Sequence, residues 1–443
     1  MPNPNTRTTW LNRRFDLQAR GTTPKVEILA GITSFLASAY LLIVIPGLLA
    51  AGGMDRGAAT TATIIVFVLA TLLMAFYANL PFMVGPGLGG SAIVGVTLAA
   101  SEHVPWQIGI GIAFWSGVLF LLLTVFKLRQ VVTRTIPLQL KLGLTASIGL
   151  FITMLGFRNA GLVIANAKTN AFALGNFTTP GACVALLGFA VAIALQARKV
   201  PGAILWAIII ATLAGIPLGV TKLPAAYFAL PHSIAPVFLQ LNVVDSLSLA
   251  FLPYLFAFFA AEFFSTMGTT LAVGAKANLL DTHGNMEQIG KPFLVDSIAA
   301  TVGALFGIPA LTALIESAAG VEAGGRTGLT ALVAAGMFLL MLLLTPFALM
   351  IPKEATAPAL LLIGLSMFAT LRKVDTEDFS EYLPVLLMVM LTLISNSFGT
   401  GIAGGLLCYV LVKVLAGRVR DVPAGLYVLA VPLAYYFWTV VGR

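Results

Sequence analysis

Long apolar runs follow one another along most of this 443-residue chain, and they constrain its fold more than any other feature. Hydrophobic residues make up 59% of the sequence, charged residues make up 9%, and the mean hydropathy is +0.99. A soluble protein carries charge at roughly a quarter of its positions. Because one membrane crossing needs roughly 20 apolar residues, the runs predict an all-α polytopic protein embedded in a lipid bilayer.

Counting one span for each run predicts about fourteen transmembrane helices. In the first half the predicted spans lie near 28–52, 57–79, 81–100, 105–126, 137–156, 180–197 and 202–220. In the second half they lie near 244–268, 293–308, 310–323, 327–350, 355–371, 382–397 and 401–416. A last apolar stretch at 424–441 either crosses the membrane or lies along it.

The distribution of basic residues indicates the orientation. With the N-terminus in the cytoplasm, most basic loop residues fall on the cytoplasmic side, which is the positive-inside pattern. The opposite side receives Arg56, Arg158, Lys168, Lys222 and Lys353. The polar residues 1–25 contain no apolar signal segment, so we expect a cytoplasmic tail, and 221–243 is expected to be an extracytoplasmic loop. Topology thus accounts for the net charge of +8, and we expect no nucleic-acid partner.

The third span of each half is interrupted by glycine and proline, first at Gly85–Ser91 and again at Gly307–Ala310. An Ile-Pro pair also follows the fourth span of each half, at 136–137 and at 351–352. Two similar halves of seven spans each, 26–220 and 244–443, must lie inverted because seven is odd. Inverted repeats of transporters place the substrate site where their broken helices meet. The alternative is that the breaks are simple kinks or close packing contacts.

Two acidic residues lie deep within predicted spans, and each costs about 3 kcal/mol if it is unpaired at the bilayer centre. They are Glu262 in the eighth span and Glu316 after the break of the tenth. Both are candidates for substrate binding and for proton coupling, with sodium coupling left open. The alternative is a structural role, such as capping a broken helix. Asp245 and Asp296, near the starts of their spans, are expected to be interfacial.

Other chemistries have weak support in the sequence. All three histidines lie in loops and both cysteines lie in apolar runs, so neither a metal site nor a cofactor is expected. The segment 320–327 is similar to a phosphate-binding loop, but its neighbours are membrane helices instead of a strand and a soluble helix. An intramembrane enzyme would need a nucleophile with a base, and the serines within spans have no histidine or lysine beside them.

Several segments resemble the AzgA-type purine permeases of the nucleobase–ascorbate transporter (NCS2) group. The similarity is carried, in order along the chain, by Gly21–Thr23 with Glu27–Thr33, Lys199–Ile204, Ile315–Gly320 with Ala323–Thr330, and Ala355–Leu360. The resemblance implies a UraA-like fold of two inverted repeats and a homodimer. Spans 1–4 and 8–11 would form a core domain, and spans 5–7 and 12–14 a gate domain.

The resemblance also implies that a nucleobase lies between spans 3, 8 and 10 and is held by Glu262 and Glu316. We expect the base to stack near Phe259 or Phe263 and to bond the unwound backbone. The full predicted site is Glu262, Glu316, Ser265, Ser91, Leu88, Gly89, Gly90, Leu314, Ile315, Phe259 and Phe263. The group commonly has asparagine at the position of Ser91 and aspartate at those of Glu262 and Ser265, so the choice among purines stays open. The alternative function is an anion transporter or channel of the same fold, for sulfate or bicarbonate.

Overall fold

The computed structural model describes residues 10–127, 137–165, 172–224, 228–280, 286, 288–395 and 397–438. The start of the predicted tail, Ile136, Lys168 and the end of the last apolar stretch lie outside these residues. Within them, the chain is mostly helical and contains two small antiparallel sheets. This architecture confirms the predicted all-α class.

Each predicted span corresponds to one helix or to a broken pair of elements. The first half contains α1 (Trp10–Phe15), α2 (Pro24–Ser38), α3 (Leu41–Ala51), α4 (Arg56–Leu73), β1 (Val84–Pro86), α5 (Leu88–Ala92), α6 (Trp106–Val125), α7 (Leu138–Asn159), β2 (Val163–Ala165), β3 (Phe172–Leu174), α8 (Pro180–Ala197) and α9 (Ala203–Ala214). The second half contains α10 (Leu252–Lys276), α11 (Gly290–Leu305), β4 (Leu311–Ala313), α12 (Ser317–Glu322), α13 (Gly328–Leu340), α14 (Thr345–Met350), α15 (Lys353–Phe368), α16 (Phe379–Ser395), α17 (Phe398–Leu415) and α18 (Ala424–Tyr436).

The lengths of these helices identify a multi-pass membrane protein. Seven helical segments in the described residues are long and apolar enough to cross a membrane, and six shorter apolar helices accompany them. Two predicted spans differ in detail from the prediction. The regular helix of the first span is interrupted between α2 and α3, at residues 39–40, and the span predicted at 327–350 is divided into α13 and α14. Segments of π-helix continue α4 over Met74–Ala78 and α5 over Ile93–Ser101.

The two interrupted spans meet at their unwound segments. Strands β1 and β4 pair antiparallel, with Val84 opposite Ala313 and Pro86 opposite Leu311. Two more backbone bonds extend the pairing, from Gly87 N to Ala310 O (2.9 Å) and from Leu314 N to Met83 O (2.9 Å). Backbone polar groups at membrane depth must be satisfied inside the protein, and here each broken span satisfies the other.

Glycine is required where this crossing is tightest. A Cβ atom on Gly85 would lie 2.4 Å from the ring of Phe67, and one on Gly90 would lie 2.2 Å from the Cβ of Ala310. Neither contact leaves space for a side chain. Gly90 therefore allows α5 to lie against Ala310 of the other broken span, and Gly85 allows β1 to lie against Phe67 of α4.

The carboxylate of Asp296 fixes β4 against the neighbouring helices. Asp296 lies on α11 and is fully buried. Its Oδ2 accepts hydrogen bonds from Thr266 Oγ1 on α10 (2.6 Å) and from the backbone N–H of Ala313 (2.7 Å). The expectation that Asp296 is interfacial is wrong. Its position near the start of a span suggested a place at the membrane surface, whereas the unwound strand needs an internal acceptor.

A second buried carboxylate explains the segment that is similar to a phosphate-binding loop. Glu27 on α2 accepts hydrogen bonds from the N–H groups of Arg326 (2.9 Å) and Thr330 (3.1 Å), and from the Thr330 hydroxyl (2.6 Å). These groups surround the N-terminus of α13, where an anion would otherwise bind. The protein supplies the negative charge itself, so this helix end is already satisfied.

The helices pack in two sets. Helix α2 packs on α13 and α6 packs on α11, and all four belong to the spans predicted to form the core domain. Helix α7 packs on α15 and α16 packs on α17, and these belong to the predicted gate domain. The packing is compatible with the predicted division, whose boundaries stay a prediction.

A buried lysine joins α16 and α17. The side chain of Lys413 is fully buried, and its Nζ lies 2.5 Å from Glu381 Oε1 and 3.9 Å from Asp378 Oδ2. Asp378, which precedes α16, also accepts hydrogen bonds from Ser380 and Arg418. The bonds from Ser380 and then from Arg418 hold the pKa of Asp378 well below its usual value, so this carboxylate stays charged.

Replacing Lys413 with methionine is expected to lower stability by about 3 kcal/mol, because the Glu381 carboxylate would lose its buried partner. The measurement is thermal unfolding of the purified protein in detergent. Lys276→Met is the matched control, since Lys276 forms an ion pair with Glu322 that is exposed on both sides. Equal unfolding temperatures for the two variants would contradict a structural role for the Lys413 cluster.

Replacing Asp296 with alanine is expected to lower stability by about 3 kcal/mol, because two buried donors would lose their acceptor. Asp245→Ala is the control, because it removes an exposed carboxylate in the short turn that precedes α10, and it should change stability by less than about 0.5 kcal/mol. The same unfolding measurement compares them. If Asp296→Ala unfolds at the wild-type temperature, β4 does not depend on Asp296.

Candidate functional site

A cavity of about 520 Å³ lies beside the crossing of β1 and β4, between α10 and the helices α7 and α15. Its size is within the range of small-molecule sites, roughly 300–1,000 Å³. Eight residues of the predicted site line it. They are Glu262, Glu316, Ser265, Leu88, Gly89, Gly90, Leu314 and Ile315. Residues from the third, eighth and tenth spans thus face one space.

Three residues of the predicted site are not on the cavity surface. Ser91 is buried, and its hydroxyl donates to the carbonyl of Gly87 at 3.1 Å. Phe259 and Phe263 lie one turn apart on another face of α10. They pack in an aromatic cluster with Phe120 and Phe293.

The expected stacking surface therefore needs correction. On α10, Phe258 and Phe264 line the cavity in place of Phe259 and Phe263. The aromatic run surrounds the helix, so the sequence has no polar face from which to judge which rings point inward.

The two oxygens of the Glu262 carboxylate differ in their hydrogen bonding. Glu262 is 1% exposed, and its Oε2 accepts a hydrogen bond from Ser116 Oγ on α6 at 2.8 Å. Its Oε1 has no hydrogen-bond partner among the residues that the structure describes. A buried acceptor without a donor is costly, and a ligand with an N–H group would satisfy it.

Glu316 lies at the N-terminal end of α12, where the tenth span resumes as helix. Its Oε1 accepts a hydrogen bond from the hydroxyl of Tyr40 at 2.6 Å. Tyr40 also lines the cavity, at the junction between α2 and α3. Sequence reasoning missed this residue, because a tyrosine in a long apolar run has no local feature that distinguishes it from packing aromatics.

The start of α5 offers donors to the same space. Gly87 is the N-cap residue and provides no side-chain acceptor. The first N–H groups of a helix have no intrahelical partner, so Leu88, Gly89 and Gly90 can present theirs to a carbonyl or ring nitrogen of a ligand. The cavity thus combines carboxylate acceptors on one side with backbone donors on the other.

The cavity reaches the surface at one end. Gln196 and Ser366, near the C-terminal ends of α8 and α15, line it and are exposed. Lys141 lies at the same end, with its Nζ 4.2 Å from the centre of the Phe264 ring. The predicted topology places this opening on the cytoplasmic face.

A buried contact lies at the other end of α10 from the cavity opening. The predicted topology places this contact toward the extracytoplasmic face. One turn before Phe258, Tyr254 donates a hydrogen bond to the carboxylate of Glu102 and shares another, of 2.9 Å, with Ser397. This contact joins α10 to the turn that precedes α17. Elements of the predicted core and gate domains are therefore bonded to each other there.

No group of three or more His, Cys, Asp or Glu side chains is placed to hold a metal ion within the described parts of the chain. The chemistry that the site offers is hydrogen bonding and ring stacking.

Comparison with known proteins identifies the family. A model described as a permease family matches residues 25–405. An adenine permease of Escherichia coli is 35% identical over 95% of this chain and 94% of its own length. A guanine/hypoxanthine permease of Bacillus subtilis is 34% identical over 94% of this chain and 98% of its own length.

Solved structures share the fold at low sequence identity. The transmembrane domain of the cyanobacterial bicarbonate transporter BicA superposes with a TM-score of 0.62 at 18% identity, covering 84% of this chain and 96% of that domain. The resemblance expected from the sequence motifs is confirmed. The chain belongs to the permease family and is a multi-pass membrane transport protein, not an enzyme.

Proposed function

We propose that the chain is a secondary active transporter that imports purine nucleobases by proton symport. The observation that supports this best is the pairing of two carboxylates with backbone donors around one cavity. Sequence relatives that are named as adenine and as guanine/hypoxanthine permeases support the substrate class. The proposal includes a homodimer in the bacterial inner membrane with a cytoplasmic N-terminus.

In the proposed complex, N–H groups of a planar purine donate to Glu262 Oε1 and to Glu316. Its carbonyl oxygen or ring nitrogens accept from the first N–H groups of α5, and its ring stacks on Phe258 or Phe264. A purine carries donors and acceptors around one flat edge, so a site of this composition can bind it without a metal.

Proton coupling is proposed to use the same carboxylates, with Glu262 as the first candidate because its Oε1 is unpartnered among the described residues. A neutral Glu262 and a charged Glu262 interact differently with the base and with Ser116. Proton uptake can therefore favour one position of the core relative to the gate and so tie import to the proton gradient.

The rival function is anion transport, because the transmembrane domain of the bicarbonate transporter BicA has a similar fold. The ionised carboxylates of Glu262 and Glu316 repel an anion, whereas an uncharged base with N–H donors is attracted to them. The relatives that match nearly the whole chain at 34–35% identity are named for nucleobases. These observations favour the purine over the anion.

Glu262→Gln and Glu316→Gln are each expected to reduce the initial rate of labelled-purine uptake at low concentration at least tenfold, because an amide NH₂ cannot accept a hydrogen bond from the base. Uptake is measured in cells that lack their own purine permeases. Glu322→Gln is the matched control, since Glu322 ends the same short helix and is exposed. Unchanged uptake in both site variants would refute the site.

A panel of labelled adenine, guanine, hypoxanthine and xanthine then tests substrate and coupling together. At least one purine should accumulate, and an uncoupler that collapses the proton gradient should abolish the accumulation. If accumulation persists with the uncoupler but requires sodium, the coupling ion is sodium and not the proton. Uptake of labelled sulfate or bicarbonate, with no uptake of any purine, would establish the anion alternative.

A further inference from the structure

Tyr40 occupies an unusual place in the first span. The segment Pro24–Ala51 is apolar enough to cross the membrane as one unit, yet its helix is interrupted where α2 ends at Ser38 and α3 begins at Leu41. The side chain of Tyr40 is 1% exposed and lines the cavity from this junction. Three spans, the first, third and tenth, therefore have an interruption of regular helix beside the same cavity.

The Tyr40 hydroxyl connects the first span to the tenth by a short bond to Glu316 Oε1, 2.6 Å long. Hydrogen bonds to an ionised carboxylate are about twice as strong as those between neutral groups. The terminal torsion of a glutamate is otherwise broad, so a carboxylate without a fixed donor samples many orientations. With Oε1 held by Tyr40, the direction in which Oε2 points is restricted.

We propose that Tyr40 is a positioning and specificity residue that orients Glu316 toward the purine. The proposal rests on the proposed function. One carboxylate oxygen is engaged by the tyrosine, and the other is presented to the base as an acceptor of fixed direction. A base with an N–H group at that position satisfies the acceptor, and a base that is methylated there leaves it unpaired.

The competing explanation is that Tyr40 only fills space where α2 meets α3. Phenylalanine would then replace it with a change in stability and without a change in recognition. The two explanations differ in whether the effect of the hydroxyl depends on Glu316. A double-mutant cycle measures that dependence.

The test compares wild type, Tyr40→Phe, Glu316→Gln and the double variant in purine uptake. Tyr40→Phe should raise KM about tenfold with a maximal rate within about twofold of wild type, since one charge-assisted hydrogen bond is lost. In the Glu316→Gln background the same change should alter KM less than about twofold. Where Glu316→Gln uptake is too slow, equilibrium binding of labelled purine to the purified protein supplies the same cycle.

Selectivity provides a measurement that would not change if Tyr40 only filled space. N-methylated forms of the transported purine are tested as competitors of uptake, and for each the inhibition constant is divided by that of the parent base. Tyr40→Phe should lower the largest of these ratios at least fivefold. Tyr427→Phe is the matched control, because its hydroxyl donates to the carbonyl of Val419 on an exposed surface of the second half.

The outcomes separate the two proposals. Absence of purine uptake by wild type refutes the proposed function and, with it, the role of Tyr40. Normal wild-type uptake with an unchanged KM and unchanged selectivity in Tyr40→Phe refutes the role of Tyr40 alone. An equal rise in KM in both backgrounds also refutes it, since the hydroxyl would then act independently of Glu316.

Discussion

The pairing of β1 with β4 is the interaction on which the rest of the site depends. A backbone that leaves the helical conformation at membrane depth must find partners within the protein. Here the two broken spans provide them, from Val84 opposite Ala313 to Pro86 opposite Leu311, and Asp296 adds an acceptor for Ala313 N. The helices α5 and α12 start from this crossing, so the donors of Leu88–Gly90 and the carboxylate of Glu316 are directed to one cavity.

Four carboxylates inside the protein differ in whether backbone N–H groups of neighbouring elements bind them and in whether they line the cavity. Glu27 and Asp296 accept hydrogen bonds from backbone N–H groups and so hold a helix end and a strand in place. Glu262 and Glu316 each accept a bond from a hydroxyl, of Ser116 and of Tyr40, and line the cavity. All four carboxylates accept a bond from a hydroxyl, and Glu262 and Glu316 are the two of the four that line the cavity.

The sequence predicted the class of fold because lipid imposes a long, continuous apolar signal on every span. It also located the breaks, since glycine and proline record where the backbone leaves the helix, as at Gly85 and Gly307. It identified Glu262 and Glu316 because charge is rare in such spans. These signals are local, and each can be seen without knowledge of which spans are neighbours.

What the sequence could not provide were the relations between distant spans and between the faces of one helix. Asp296 was misplaced because its partner N–H belongs to a strand seventeen residues away. Tyr40 was missed because its partner lies in the other half of the chain. On α10 the ring pair Phe258 and Phe264 could not be distinguished from Phe259 and Phe263, since an aromatic run has no periodicity that indicates a face.

The β1–β4 crossing also has a consequence for how relatives of this chain can diverge. Its bonds run from main chain to main chain, so they survive many changes of the side chains that the crossing presents. Selection can then alter the groups that face the ligand while the frame beneath them is inherited intact.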